Sequence, residues 1–191
     1  MELTRRDLLK GAAALGAAGA VPATLARPTF AQTTQKKELV SAQAGDISKF
    51  DPHFSTSSND IRVSFNIFDN LTSRHPDGKL YPGLATEWKL EGQTTWRFKL
   101  RPGVKFHNGD PFTSADAKWS LERTFDPAAK TMVATVFTTI DRIEAPDAMT
   151  LVIHTKKPDP LLPGRLAFYG GQIVPKKYVE SAGNDEYDPY R

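Results

Sequence analysis

Four histidines, His53, His75, His107 and His154, are the side chains best able to hold a metal or move a proton, and their spacing argues against either role. No pair stands four apart and no H-x-x-E-H run occurs, so no two imidazoles share a helix face as a zinc site of that kind requires. Each reads as a surface or turn histidine. Asp110 and Asp116 bracket a helix start, which makes them capping groups rather than an acid–base pair. Ser55, Thr56, Ser57 and Ser58 offer hydroxyls. A nucleophile also needs a base and an orienting group, and neither can be identified. There is no G-x-S-x-G elbow, phosphate-binding loop or dinucleotide fingerprint. The 191 residues contain no cysteine, which removes disulfides, thiolate metal sites, a cysteine nucleophile and a lipid-modified cysteine. The expectation is a protein that is not an enzyme and carries no cofactor or metal.

The elements that position these loops are organised around Trp96–Asp126. From Trp96 to Arg101 apolar and basic residues alternate, which predicts a strand with one buried face. Pro102-Gly103 breaks it, Val104–Phe106 alternates again, and Asn108–Pro111 is a second turn. Thr113 stands at a helix N-cap with Asp116 three residues on, a variant capping box. Phe112 is placed to staple onto Ala117, and Ala117, Leu121 and Thr124 follow one helical face. Asp126-Pro127 ends the helix.

On either side the pattern continues. Glu38–Ala42 reads as a first strand. A polar loop runs from Gly45 to about Asp60, and a helix is expected from about Asn59 to Asn70, with Ile61, Ser64, Phe65 and Phe68 on one face. Pro76-Asp77-Gly78 is a hairpin turn. Trp88–Leu90 pairs with the Trp96 strand across Glu91-Gly92-Gln93, and Ile140–Glu144 pairs with Leu151–His154. Pro158, Pro160 and Pro163 are expected to bar regular structure until Leu166. Ile173–Tyr178 reads as a strand entering a short helix.

Hydrophobic content of 39% and charged content of 25% are those of a soluble globular protein, and a net charge of +3 is too small to imply nucleic acid. Residues 1–31 read as a targeting segment. Thr4–Lys10, with Arg5-Arg6, resembles the twin-arginine export motif. The alanine-rich run from Gly11 to Leu25 is too short and too weakly apolar for a comfortable membrane span. Cleavage is expected near Ala31, with Ala26 an alternative, followed by a flexible leader at 32–37. The mature charge would then be +1.

The run L-R-x-G-V-x-F-H-x-G-x-P-F-T-x-x-D at 100–116, with S-L-E-R and D-P after it, resembles the family 5 extracellular solute-binding proteins. These are the dipeptide, oligopeptide and nickel receptors of ABC importers. D-P-H at 51, P-D-G-K-x-x-P-G-L-A-x-x-W at 76–88 and I-V-P-K-x-Y at 173–178 extend the similarity over about residues 38–180. The resemblance implies an α/β fold of the type II periplasmic binding protein kind, two lobes around a ligand cleft. Segments 38–70 and 165–178 would belong to the main sheet of the first lobe, and 71–165 to an accessory subdomain. Family members are more than twice this long, so 38–191 is expected to be a partial solute-binding domain, the N-terminal lobe with the second lobe absent.

The same resemblance implies an exported receptor that captures a peptide or similar small solute. Its partners would be that ligand, the permease subunits and the twin-arginine export machinery, with no nucleic acid, and its location the periplasm. The cleft wall would include Phe54, Ser55, Thr56, Asn59 and Asp60, then Met132, then Phe168, Tyr169 and Gly170. The aromatics would supply contact area and the polar groups hydrogen bonds. Groups that read a peptide's charged ends come largely from the second lobe in this family. The alternatives are a degenerate fragment that binds nothing and a secreted hydrolase.

Overall fold

A computed structural model describes residues 40–182. The expected export segment and leader lie outside the described residues. The chain divides into two units, Met1–Ser41 and Ala42–Arg191. Of the first, only Val40 and Ser41 are described, as exposed coil. The strand expected at Glu38–Ala42 is therefore not formed over its described part. No described residue pairs with it, and an unpaired strand leaves its amides unsatisfied by the fold.

In the second unit, α1 spans Ser58–Ile67. It ends earlier than expected, because Phe68 turns extended while its N–H closes the last turn on the Ser64 carbonyl at 2.8 Å. Ser64 and Phe68 are buried, whereas Phe65 is 43% exposed and leaves the face the periodicity assigned it. The chain then makes an antiparallel bridge between Asn70 and Gln172. Next come β1 (Thr72–Arg74) and β2 (Leu80–Pro82), paired around the turn at Gly78, whose φ is +80°.

Strands β3 (Ala85–Glu91), β4 (Thr95–Leu100), β5 (Ile140–Asp147) and β6 (Thr150–Thr155) form an antiparallel sheet in the order β3-β4-β6-β5. The two expected hairpins form, with Trp88 opposite Phe98 and Ile153 opposite Ile143, and the pairing of Phe98 with Leu151, which the sequence did not indicate, joins them into one sheet. One face of this sheet packs on α2 (Ser114–Phe125). Phe98, Leu100, Leu151 and Ile153 from the strands, Phe112 just before the helix cap, and Ala117 and Leu121 from the helix share one buried core. Asp116 caps α2 by accepting from the Thr113 N–H at 3.0 Å and its hydroxyl at 2.8 Å.

Three further expectations are corrected. Val104–Phe106 is not a strand but a single bridge between Lys105 and Pro111, because turns on both sides leave no length for a ladder and proline brings no N–H. The prolines do not bar structure before Leu166. Pro163 lies in the first turn of α3 (Leu162–Leu166), where its missing N–H costs nothing. The expected helix after Ile173 forms as α4 (Lys176–Ala182), but the strand before it shrinks to the bridge at Gln172.

Candidate functional site

The loop before α1 is built by two carboxylates. Asp60, buried in the first turn of α1, accepts from the Ser48 N–H at 2.9 Å and from the hydroxyls of Ser48 and Ser55, both at 2.6 Å. Burial alone would raise its pKa. The hydrogen bonds from Ser48 and Ser55 outweigh that and hold it below the usual value, so the carboxylate stays charged. Ser55 and Asp60 thus turn inward and shape the loop. Thr56 is exposed, and Phe54 and Asn59 are half-buried.

The second carboxylate, Asp51, accepts from the His53 N–H at 2.9 Å and from both terminal nitrogens of Arg123 on α2, at 2.6 and 3.2 Å. Both partners of this pair are buried. The guanidinium carbon lies 4.9 Å from the Phe54 ring centre and 5.5 Å from that of Trp119.

The expectation that every histidine is a surface or turn residue fails at His53, which is fully buried. Its ring spans the site. Nε2 lies 3.0 Å from the Gln172 carbonyl, which can only accept, so Nε2 carries the hydrogen. Nδ1 then accepts from Arg123 at 3.2 Å. Both contacts suit the neutral imidazole. Burial, with a further contribution from Arg123 against the opposing effect of Asp51, lowers its pKa to about 4.

Through His53 the three expected segments meet. The Met132 N–H donates to the His53 carbonyl at 3.0 Å. The Gly170 N–H donates to the Gln172 side chain at 2.7 Å. Gly170 has φ +83°, and a Cβ there would come within 2.8 Å of the Val133 Cβ, so only glycine fits this approach. Asn70 holds the same turn from beneath, donating to the Leu166 and Phe168 carbonyls at 2.8 and 2.9 Å. Met132 and Phe168 are left 57% and 50% exposed, and the Phe168 and Tyr169 ring centres lie 4.6 Å apart. The result is a surface with apolar groups from Phe54, Met132, Phe168 and Tyr169 and polar groups from Thr56 and Asn59. Ser55, Asp60 and Gly170 support it from within. A groove of 460 Å³ lies elsewhere, lined by Phe68, Val104, Phe106, Ile173 and Tyr178 among others, and shares no residue with this surface.

Sequence reasoning missed Asp51, Arg123, His53, Gln172 and Asn70 as site-building residues. The D-P-H and S-L-E-R runs were visible, but nothing local says that they touch. Asn70-Leu71-Thr72, which has the pattern of a glycosylation acceptor, turns both polar side chains inward: Thr72 donates to the Pro163 carbonyl at 2.6 Å. Among the described residues no cluster of three or more histidines and carboxylates could hold a metal ion.

Comparison with known proteins bears on this geometry. Residues 79–190 match the model of the bacterial extracellular solute-binding proteins, family 5 Middle, and residues 2–22 match that of the twin-arginine translocation pathway signal sequence. The chain is 27% identical over 175 residues to the periplasmic oligopeptide-binding protein OppA of Haemophilus influenzae, covering 82% of this chain and 32% of that protein. It is 30% identical over 178 residues to a probable peptide ABC transporter periplasmic-binding protein, y4tO, of Sinorhizobium fredii, covering 93% and 33%. The crystal structure of Haemophilus influenzae OppA in complex with the peptide RPPGFSPFR superposes with a TM-score of 0.67 at 28% identity, over 72% of this chain and 30% of that one. The chain thus spans about a third of the length of the curated relatives it matches.

Proposed function

The chain belongs to the bacterial extracellular solute-binding proteins of family 5, and from that premise we propose that its surface of Phe54–Asp60, Met132 and Phe168–Gly170 forms one wall of a peptide-binding cleft. The observation that carries the reading is the convergence of these three segments on His53 and Gln172, with apolar side chains left exposed above a hydrogen-bonded floor. A site of that composition suits a small solute with an extended backbone. Residues 38–70 and 165–178 belong to the main lobe in this reading, supported by the Asn70–Gln172 bridge and the bond from the Ile173 N–H to the Asp69 carbonyl at 2.9 Å. Residues 71–165 form the accessory subdomain. The protein is exported by the twin-arginine route, loses its leader near Ala31, and hands its ligand to an ABC permease from the periplasm.

Trp119 reports on this surface, because the Arg123 guanidinium lies over its ring and over that of Phe54. With Trp88 and Trp96 replaced by Phe, titrating the chain with RPPGFSPFR is expected to change Trp119 emission in a saturable way. Replacing Phe168 and Met132 by Ser should abolish the saturable change. Saturable binding that survives that double replacement would contradict the assignment.

A further inference from the structure

Resting on that reading, we propose that Arg123 is a positioning residue of the ligand wall: its fork to Asp51 and its contact with His53 set where Phe54, Met132 and Phe168–Gly170 stand. The guanidinium is buried on α2, and every wall segment is one to three links from it. Asp51 and His53 belong to the loop that carries Phe54. The carbonyl of His53 holds the Met132 amide, and its ring holds the Gln172 carbonyl. The side chain of Gln172 in turn holds the Gly170 amide and approaches the Ser64 hydroxyl at 3.3 Å.

The arrangement also constrains chemistry at position 123. Two parallel N–H donors are needed to meet both oxygens of Asp51 while a third contact reaches Nδ1 of His53, and a planar face is needed between two aromatic rings. Arginine supplies the fork and the plane. Lysine supplies the charge alone. A wall held in its binding geometry before the ligand arrives loses less freedom on binding, so slackening the fork lowers affinity without removing any ligand contact.

The test is backbone hydrogen exchange on the 191-residue chain and its R123Q and R123K variants, read at three amides. Met132 and Gly170 report the wall. Leu100, whose N–H donates to the Met149 carbonyl at 2.8 Å, reports the sheet core. In R123Q, exchange at Met132 and Gly170 is expected to accelerate at least tenfold more than at Leu100, whose change reports the global loss of stability, and R123K should fall between R123Q and the parent. If R123Q does not fold, R123K carries the comparison. Unchanged exchange at Met132 and Gly170 would overturn the proposal, as would equal acceleration of all three amides, which marks a merely structural ion pair. Affinity for RPPGFSPFR, measured in parallel, should fall about tenfold in R123Q. A parent chain that binds no peptide contradicts the solute-binding reading, whereas the exchange pattern decides the role of Arg123 by itself.

Discussion

Replacing Asp51 by Ala is expected to cost about 3–5 kcal/mol of folding stability, read as a lower urea midpoint with an unchanged slope. The pair it breaks is buried on both sides, and its shorter contact is 2.6 Å. Removing the carboxylate leaves a guanidinium deep in the protein without the group that accepts from both its terminal nitrogens. It also frees the His53 N–H, which donates to the same carboxylate. An exposed ion pair such as Lys99–Glu87 sets the contrast, since such pairs contribute roughly 0–1 kcal/mol. A loss of under about 1 kcal/mol in Asp51→Ala would show that the fork is not a structural centre. Replacing Asp51 by Asn, which keeps the shape and drops the charge, should fall between the two.

The second large effect is a dependence on pH that comes from His53. The native pKa of about 4 lies below the ordinary 6.5, so the unfolded chain takes up a proton first as the pH falls. The contribution of the neutral ring is complete above pH 6.5, declines between 6.5 and about 4, and changes no further below that. Integrated over the window, the loss is on the order of 3 kcal/mol. The structural cause is specific: a proton on Nδ1 removes the acceptor for Arg123 and sets a second positive charge beside the guanidinium. Carboxylates such as Asp60, whose pKa is depressed, lose their contribution only at lower pH, as the pH falls through their folded values. Replacing His53 by Gln should therefore flatten the stability profile between pH 6.5 and 4 and leave the more acidic limb in place. An unaltered profile would contradict the burial of a neutral ring at this position.

These two effects come from the part of the molecule that was hardest to read in the sequence. The sheet and α2 were legible because their signals are local. Alternation placed Phe98 and Leu100 inside, spacing of three and four residues placed Ala117, Leu121 and Thr124 on one face, and Thr113 with Asp116 marked the cap. The hub has no local signal. Asp51 and Arg123 are 72 residues apart, and His53 and Gln172 are 119 apart. A buried pair of this kind adds one charged residue to a loop and one to a helix, and neither disturbs a period. Arg123 could be suspected only from its place one turn after Trp119, on a face that also carries Ser120. That face is buried, and the Ser120 hydroxyl donates to the Val174 carbonyl at 3.0 Å.

The residues proposed for the wall came from family resemblance rather than from pattern. The structure adds a division of labour among them. Phe54, Thr56, Asn59, Met132, Phe168 and Tyr169 keep accessible surface, while Ser55, Asp60 and Gly170 spend their polar atoms or their backbone freedom on holding the others in place. The error at Phe65 has a simple origin. The buried stripe runs through Asp60, Ser64 and Phe68, four apart, and Phe65, one residue beyond Ser64, falls outside its edge.

The most direct measurement of the central claim is a map of backbone amide shifts in the 191-residue chain as RPPGFSPFR is added to millimolar concentration, where even weak binding registers. The account predicts that the shifting amides cluster in Phe54–Asn59, Met132–Val133 and Phe168–Gly171. Shifts gathered around Phe68, Val104–Asn108 and Tyr178, the lining of the separate groove, would contradict it, and so would a titration in which no amide moves.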